Sequence, residues 1–281
     1  MSQAYILFNP IAGDGKVKND LDALQDVIDD EVVFADLTEP GMPEGILKKM
    51  EADDYIVLCG GDGTLNQFAN DTAHITIDHE ILYYPCGSGN DFAKEFHRKY
   101  GCNPFTVNEY LSGLPSVTVN GKTYRFLNGV GFGIDGYCCQ EGDRLRKIPG
   151  KKINYTVIAI RGLLFHYKPT SATVCVDGVK HTFHKVWIAP TMYGRYYGGG
   201  MIPAPRQKRG DDHLSVMVLH GSGKLRTLMI FPSAFKGTIT KYRKHVSVYT
   251  GREITVTFDE PRPLQIDGET ILDVTSYTAT R

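Results

Sequence analysis

Two short glycine-rich segments carry polar side chains that are suited to phosphate chemistry. Gly-Gly-Asp-Gly-Thr at 60–64 follows an apolar run at 55–59, and Pro-Cys-Gly-Ser-Gly-Asn-Asp-Phe-Ala at 85–93 follows the next such run. Glycines let the backbone approach a ligand closely, and the N–H groups of such a loop and of the following helix can bind phosphate. Asp62 could hold Mg²⁺ or position a hydroxyl nucleophile. Further side chains that could hydrogen-bond a ligand are Thr64, Asn66 and Ser88.

A plain strand–helix turn is the alternative explanation for each segment. Such a turn seldom needs three glycines together with an aspartate and a threonine, so the motif at 60–64 favours a ligand site. The second segment is ambiguous, because Asn90 or Asp91 could instead cap a helix that begins near Phe92. A third polar loop, Asn-Pro-Ile-Ala-Gly at 9–13, follows the first apolar run. Three such loops at neighbouring strand ends match the edge where open α/β sheets bind ligands.

The first third of the chain alternates strand and helix patterns. Short apolar runs predict strands at 5–8, 32–35, 55–59 and 81–84. Between these runs, apolar residues recur at helical spacing. This alternation indicates an α/β N-terminal domain with a parallel sheet, in which the glycine-rich loops lie at the carboxyl ends of the strands.

After about residue 115 the pattern becomes that of antiparallel strands. Asn120-Gly121 and Asp177-Gly178 lie between short alternating runs and are strong hairpin signals. Further alternating runs lie at 185–189, 214–219, 246–249 and 254–258. We therefore predict a mostly antiparallel β-sandwich over 117–271, which follows an α/β domain over 1–116 that residues 272–281 complete.

Composition excludes several classes of protein. The 281 residues include 30 glycines, 42 % hydrophobic and 22 % charged residues, which fits a folded globular protein rather than a collagen or a low-complexity chain. The chain starts without a basic segment, and its most membrane-like stretch, 153–165, is shorter than the ~20 residues of a spanning helix. The six cysteines show no C-x-x-C spacing. We therefore expect reduced thiols and a cytoplasmic protein.

The formal net charge of −1 hides an uneven distribution of charge. Residues 1–54 hold 13 acids and 4 bases, whereas the segment from Leu214 to Arg252 holds seven bases and no acid. Five more bases, including Lys151 and Lys152, lie within 144–152. An ordinary solvated face and a surface that meets anionic lipid headgroups both fit such segments. We expect no nucleic-acid partner.

Two further motifs resemble nucleotide-binding fingerprints but lack their context. Gly-x-Gly-x-x-Gly at 131–136 lies in the β-rich half, without a βαβ unit and without an acid about 20 residues further on. It is not expected to bind a dinucleotide. Gly-Asp-Gly-Lys at 13–16 has Pro10 where a P-loop needs glycine and Val17 where it needs serine or threonine. The chain is therefore not a P-loop NTPase.

Taken together, the motifs resemble those of a known family. The segments 9–13, 60–64 and 85–93 resemble the diacylglycerol kinase catalytic-domain family, which includes bacterial soluble lipid kinases, sphingosine kinases and ceramide kinases. The match continues in the family's order at 126–135, 198–203 and 265–269. It thus covers essentially the whole chain. The motif at 60–64 alone is less specific, because NAD kinases and phosphofructokinases also carry it.

The resemblance implies ATP as the phosphoryl donor and Mg²⁺ as a cofactor. Glu269 resembles the family's catalytic acid/base, since a carboxylate in a cleft can take the proton of an attacking hydroxyl. A solvated carboxylate at a hairpin tip is the plain alternative for it. Asp62, with nucleotide-bound Mg²⁺, would neutralise charge on the transferring phosphoryl group. The residues implied to contact ATP are Asn9, Pro10, Ile11, Ala12, Gly13, Thr38, Gly60, Gly61, Asp62, Gly63, Thr64, Leu65, Asn66 and Ser88.

The resemblance also implies a second, structural Mg²⁺ on a loop of the β domain. Some bacterial members hold this ion through one aspartate and two backbone carbonyls, which correspond here to Asp211 and to Lys208 and His213. Asp212 stands where the family pattern has glycine. This substitution changes the conformational freedom of the loop and adds a carboxylate that could strengthen cation binding.

Residues 151–167 are expected to form an amphipathic helix beside the basic run. The apolar positions that are spaced for one face are Ile153, Val157, Ile160 and Leu164. Packing of this face onto the β domain is the simpler interpretation. Contact with a membrane is the alternative, since a hydrophobic substrate needs a route from the bilayer.

These observations favour an ATP-dependent lipid kinase that phosphorylates a hydroxyl of diacylglycerol or a related lipid at the membrane surface. An NAD kinase shares the glycine–aspartate loop and is the alternative enzyme, although it has no evident need for the segment 85–93. A non-catalytic nucleotide or lipid sensor is an alternative of another class, against which the intact Asp62 and Glu269 argue. We expect peripheral contact at the inner face of the membrane, and an edge strand could mediate a homodimer.

Overall fold

The computed structural model describes residues 2–10, 17–148 and 153–281, and the chain divides into two compact units after Leu114. The sequence predicts this boundary near residue 116. The predicted ATP contacts Ile11, Ala12 and Gly13 lie outside the described residues, as do Lys151 and Lys152 of the basic run.

The first unit is an α/β domain, as predicted. Its described strands are β1 (Gln3–Phe8), β2 (Glu31–Asp36), β3 (Tyr55–Gly60), β4 (Ile81–Pro85) and β5 (Phe105–Thr106). Among the described residues the sheet order is β2-β1-β3-β4-β5, with the first four strands parallel and β5 antiparallel to β4. In β3, Ile56, Val57, Leu58 and Cys59 are all fully buried. Since successive side chains point to opposite faces, both faces of this strand are covered.

The helices of this unit follow the strand ends. Their bounds are α1 (Val17–Gln25), α2 (Glu44–Leu47), α3 (Asp62–Asp71), α4 (Asp91–Glu95) and α5 (Asn108–Leu111). Helix α3 starts two residues after β3 and buries Leu65 and Phe68, which are spaced for one helical face. This short connection places the motif at 60–64 at the carboxyl edge of the sheet.

The second unit is built from antiparallel strands, also as predicted. Its described strands are β6 (Ser116–Val119), β7 (Lys122–Arg125), β8 (Gly129–Phe132), β9 (Thr170–Val176), β10 (Val179–Val186), β11 (Thr191–Met192), β12 (Leu214–Leu219), β13 (Val246–Gly251), β14 (Glu253–Ile266) and β15 (Glu269–Thr280). The long strand β14 pairs with β9 through its first half and with β8 through its second half. It thereby connects the part of the sheet that contains β9 and β10 with the part that contains β8, β11 and β12.

The last strand, β15, lies in the second unit, which differs from the sequence prediction. Residues 272–281 were expected to complete the α/β domain, but β15 lies between β14 and β6 in the second unit. The turn at Asp267 and Gly268, with φ of 47° and 103°, reverses the chain tightly. The strand then runs back along β14 as far as the pair Glu253–Thr280.

Helices cover one side of the second unit. They are α6 (Ile134–Arg146), α7 (Tyr155–Arg161) with the π-helical segment Gly162–His166, α8 (Lys224–Ile230), α9 (Pro232–Phe235) and a 3₁₀ turn at Ile239–Lys241. Helix α7 and the π segment pack inward through Ile158, Ala159 and Leu163. The predicted packing of Val157 and Ile160 onto the β domain is therefore wrong, since both side chains face solvent. No helix in the described part of the chain is long and apolar enough to span a membrane.

Candidate active site

The glycine-rich loops that follow β3 and β4 are in direct backbone contact. The Cys86 N–H donates to the Gly60 carbonyl at 2.9 Å, and the thiols of Cys59 and Cys86 lie 3.5 Å apart. A methyl group on Gly87 would lie 2.4 Å from the Cα of Gly61, closer than real Cβ contacts. These two glycines are thus required by the close approach of the loops.

Replacing Gly87 by alanine is expected to push the two loops apart. The new methyl group must displace the Gly61 backbone, so we expect the free energy of unfolding to fall by about 1–3 kcal/mol. Binding of a fluorescent ATP analogue should weaken about tenfold. Urea denaturation and a binding titration measure the two effects. Gly45→Ala is the control, because a methyl there meets nothing nearer than 4.0 Å; unchanged binding by the Gly87 variant would contradict the role of the loop contact.

Asp62 joins the two loops through its carboxylate. Its Oδ2 accepts the N–H of Asp91 and its Oδ1 accepts the N–H of Phe92, both at 2.8 Å. Asn90 occupies the N-cap position of α4, as one of the two alternatives had it, but its side chain makes no capping hydrogen bond; the Asp62 carboxylate caps the helix from the neighbouring loop. Asn90 instead has a left-handed φ of 50° and bonds the N–H and carbonyl of Gly87. The Asp62 charge lies at the positive end of α4, where it is stabilised.

The start of α3 offers backbone donors for a phosphate. The N–H groups in the first turn of a helix point out of its end. The Leu65 N–H bonds inside the helix, to the Gly61 carbonyl at 3.1 Å. The Leu65 side chain is fully buried, and Asn66 accepts two hydrogen bonds from Asn70. Of the predicted ATP contacts at 60–66, those before Leu65 are therefore the ones whose backbone N–H groups are suited to bind a phosphate.

The other predicted ATP contacts lie on loops at the same edge. Asn9 and Pro10 follow β1, Thr38 follows β2, and Ser88 is exposed on the loop after β4. Because β1 to β4 are parallel, their carboxyl ends meet at one side of the sheet. The Thr38 hydroxyl and N–H both bond Asp36 Oδ1 at 2.7 Å, which holds that loop in place.

Glu269 lies in the second unit, at the tip of the β14–β15 hairpin. It is the first residue of β15 and is exposed. The preceding turn is anchored by the Asp267 carboxylate, which accepts the N–H groups of Leu127, Asn128 and Gly129 at 2.5, 2.8 and 3.0 Å. This anchor fixes the backbone that carries Glu269. Asp267 is not among the residues predicted for the site, although its place two residues before Glu269 is a signal that could have found it.

A buried carboxyl in the second unit was also missed. Asp135, in the first turn of α6, accepts a short hydrogen bond from the Tyr197 hydroxyl, and burial raises the pKa of Asp135 to about 6. A methyl group on Gly131 would collide with both side chains, at 1.6 and 1.8 Å. Gly131 thus permits the close approach of Asp135 and Tyr197, which any residue with a Cβ would prevent. Perturbed carboxyls of this kind often lie in functional sites.

The raised pKa of Asp135 predicts a stability that falls with pH. The folded state keeps the Asp135 proton up to about pH 6, whereas the unfolded chain loses it near 3.8. Since one pKa unit corresponds to about 1.4 kcal/mol, wild type should lose about 3 kcal/mol relative to Asp135→Asn between about pH 3 and pH 7. Urea unfolding of both proteins measures this difference. Asp273→Asn, at an exposed position, is the control; a pH-independent difference for the Asp135 variant would contradict the assignment.

The loop predicted to hold a structural cation brings its oxygen atoms together. Gln207 Nε2 donates to the carbonyls of Lys208 and His213, at 3.2 and 3.1 Å. The Asp211 carboxylate accepts the Lys208 N–H at 3.0 Å. Gln207 Oε1 is buried without a hydrogen-bond partner among the described residues. Turning this amide over would bring Oε1 to the two carbonyls, so the residues present fit a hard cation that prefers oxygen ligands.

Asp212 does not distort this loop. The left-handed residue of the loop is Gly210, with φ of 88°, and the Asp212 carboxylate points to Arg252 at 2.5 Å. The hydrogen bond from the Arg252 guanidinium, with a smaller contribution from His213, holds the pKa of Asp212 below its usual range. The Asp212 carboxylate is therefore paired in this structure and does not add to the converging oxygen atoms.

Comparison with known proteins identifies both units. Residues 3–114 match the diacylglycerol kinase catalytic domain, and residues 128–279 match the YegS C-terminal NAD kinase beta sandwich-like domain. A Bacillus subtilis (strain 168) protein named "Putative lipid kinase YtlR" is 23 % identical over 295 residues, which cover 96 % of this chain and 94 % of that protein. A Mycobacterium tuberculosis (strain ATCC 25618 / H37Rv) protein named "Diacylglycerol kinase" is 25 % identical over 192 residues, covering 66 % of this chain and 60 % of that protein.

A solved structure shows the same fold. The crystal structure of a Bacillus anthracis str. Sterne protein, described as a putative diacylglycerol kinase, matches with a TM-score of 0.66 and 19 % identity, over 99 % of this chain and 93 % of that one. The YegS-type match alone spans more than half of the chain, and the two domain matches follow each other in the order of the two structural units. The chain belongs to the diacylglycerol kinase catalytic-domain family, with a YegS-type C-terminal domain.

Proposed function

We propose that this protein is an ATP-dependent lipid kinase, which transfers the γ-phosphoryl group of ATP to a hydroxyl of diacylglycerol or a related lipid. The observation that carries the proposal is the bridge from Asp62 to the loop after β4, which sets two glycine-rich loops side by side at the start of α3. Membership of the kinase family and the lipid-kinase names of the relatives support it.

The nucleotide phosphates would be held mainly by backbone. The loop at 60–64 leads into the positive end of α3, and the Ser88 hydroxyl and Asn9 lie on neighbouring loops. A methyl group on Gly60 would lie 2.4 Å from Thr64 Oγ1, so the loop can be this tight only with glycine there. Mg²⁺ bound with ATP supplies neutralisation of charge on the transferring phosphoryl group. Asp62 is suited to that ion because a carboxylate oxygen is a hard ligand of the kind that Mg²⁺ prefers.

Glu269 would accept the proton of the attacking lipid hydroxyl at its carboxylate. Proton removal by a positioned carboxylate makes the hydroxyl a better nucleophile. The Asp267 anchor holds the backbone of the hairpin, which limits where the Glu269 carboxylate can lie. Because Glu269 is exposed, the proton can pass on to water.

The proposal is tested by an assay with radiolabelled ATP and Mg²⁺. The purified protein is offered diacylglycerol, monoacylglycerol, ceramide and sphingosine in detergent micelles, and NAD in a parallel reaction. Label in a lipid product is the expected result. Label in NADP would overturn the proposal in favour of an NAD kinase, and ATP binding without turnover of any acceptor would overturn it in favour of a sensor.

A further inference from the structure

Helices α7 and α8 and the π segment carry large apolar side chains on the face that is exposed to solvent, as well as on the face that packs against the core. In α7 and the π segment, the exposed fractions are 47 % for Val157, 37 % for Ile160 and 72 % for Phe165. The inward face of the same segments already packs against the core through Ile158 and Leu163. The outer apolar residues are therefore not needed to hold the helix on the domain.

Helix α8 continues this outer face. The Lys224 ammonium donates to the Leu164 carbonyl at 2.6 Å, which places the start of α8 beside the π segment. Leu225 and Met229 lie one helical turn apart and are 72 % and 61 % exposed, whereas Ile230 packs inward. We call the exposed set the outer apolar surface; its residues are Val157, Ile160, Phe165, Leu225 and Met229.

The two segments that carry this surface hold charges of one sign. Neither 153–168 nor 221–252, the segments that carry it, contains an aspartate or glutamate. The carboxylates of neighbouring α6, Glu141 and Asp143, are already paired with arginines at 2.6 and 2.8 Å. Exposed bases on the segments include Arg161, Lys224, Arg226 and Lys236. Large apolar side chains next to unopposed bases complement a surface that offers hydrocarbon beneath anionic phosphates.

We propose that the outer apolar surface docks on an anionic lipid bilayer. Phe165, Leu225 and Met229 enter the boundary between headgroups and acyl chains, and the bases meet headgroup phosphates. The inference rests on the proposed function in one respect, which is that a lipid kinase must reach a substrate held in a bilayer. Docking itself needs no catalysis and can be measured separately.

The test is co-sedimentation with vesicles of phosphatidylcholine alone or mixed with phosphatidylglycerol. Wild type should bind the mixed vesicles. Phe165→Ser combined with Leu225→Ser should lower the partition coefficient at least about tenfold, since each change removes an exposed apolar side chain that docking would transfer from water into the bilayer. Arg161→Glu combined with Arg226→Glu should lower it about tenfold at low salt and less at high salt. Both pairs are exposed, so thermal unfolding should stay as in wild type.

Matched controls lie on the strands of the same unit. Val179→Ser combined with Leu272→Ser removes apolar side chains that are 59 % and 50 % exposed, and should leave vesicle binding unchanged. Binding of wild type to neither vesicle, or binding by the Phe165/Leu225 variant as tight as that of wild type, would overturn the proposal. So would a dimer of wild type that this variant converts to monomer with unchanged vesicle binding, because a second copy would then be the occupant.

Kinase activity in detergent micelles separates this inference from the proposed function. Micelle activity should be the same in wild type and in the surface variants, because those residues are outside the candidate active site. If neither wild type nor any variant phosphorylates lipid in micelles, the proposed function is rejected. The vesicle-binding measurement still decides whether the outer apolar surface docks on a bilayer. Loss of vesicle binding with full micelle activity is the expected combination for the Phe165/Leu225 variant.

Discussion

Asp62→Ala should lose lipid phosphorylation by about a thousandfold or more. The substitution removes the acceptor of two backbone N–H groups at the start of α4, so the loops after β3 and β4 lose these two hydrogen bonds and keep their backbone contact, in which the Cys86 N–H donates to the Gly60 carbonyl. It also removes the carboxylate that is suited to the nucleotide-bound Mg²⁺. Hydrogen bonds to charged groups contribute about 1.5–3 kcal/mol each, so we expect the loss of these two to lower the unfolding free energy by about 3–6 kcal/mol as well. Initial rates with radiolabelled ATP and urea unfolding measure both effects.

Asp62→Asn separates the two roles of this carboxylate. Asparagine keeps one oxygen acceptor but no charge, so it should recover part of the stability and little of the activity. Asp71→Ala, an exposed acid at the other end of α3, is the matched control and should behave as wild type. Full activity of Asp62→Ala would reject the site assignment.

Glu269→Gln is expected to lower kcat by about a hundredfold to ten-thousandfold, the range for loss of a general base. Glutamine keeps the shape of the side chain but cannot take a proton. The KM for ATP and the melting temperature should stay close to their wild-type values, because the side chain is exposed and the hairpin is held by Asp267. Steady-state kinetics with varied ATP and thermal unfolding measure these quantities.

The control for Glu269 is another exposed glutamate on the same hairpin. Glu253 lies at the far end of β14 from the hairpin turn, and Glu253→Gln should leave kcat unchanged. If Glu269→Gln is as active as wild type, the proton acceptor is a different group. If both variants lose activity equally, the effect is one of surface charge and not of proton transfer.

Much of the α/β unit could be predicted because its strands are continuous apolar runs. A run such as 55–59, bounded by polar and glycine residues, is typical of a strand that is buried on both faces, and the polar loop after such a strand lies at the carboxyl edge of the sheet. The glycines at 60–64 were therefore placed correctly at that edge. The partner of Asp62 could not be predicted, because no local pattern shows which backbone N–H groups a carboxylate will meet 29 residues away.

The errors in the second unit have a similar cause. Residues 274, 277 and 279 are buried, and such a pattern of apolar residues would suit a strand of either unit's sheet. Only the tight turn at Asp267 decides that the strand runs back along β14. In α7 both faces carry apolar residues, so helical periodicity could not tell that Ile158 faces the core and Val157 faces solvent. Asp135 was missed because its partner, Tyr197, comes from 62 residues further on.

The bridge from Asp62 to α4 has a consequence for the order of assembly during synthesis. Its acceptor and donors are separated by 29 and 30 residues, and the contact of Gly61 with Gly87 spans a similar distance. Neither loop can take its final form until β4 has docked on β3 and Phe92 has left the ribosome. The edge that would receive phosphates is therefore incomplete in any nascent chain that ends before residue 92.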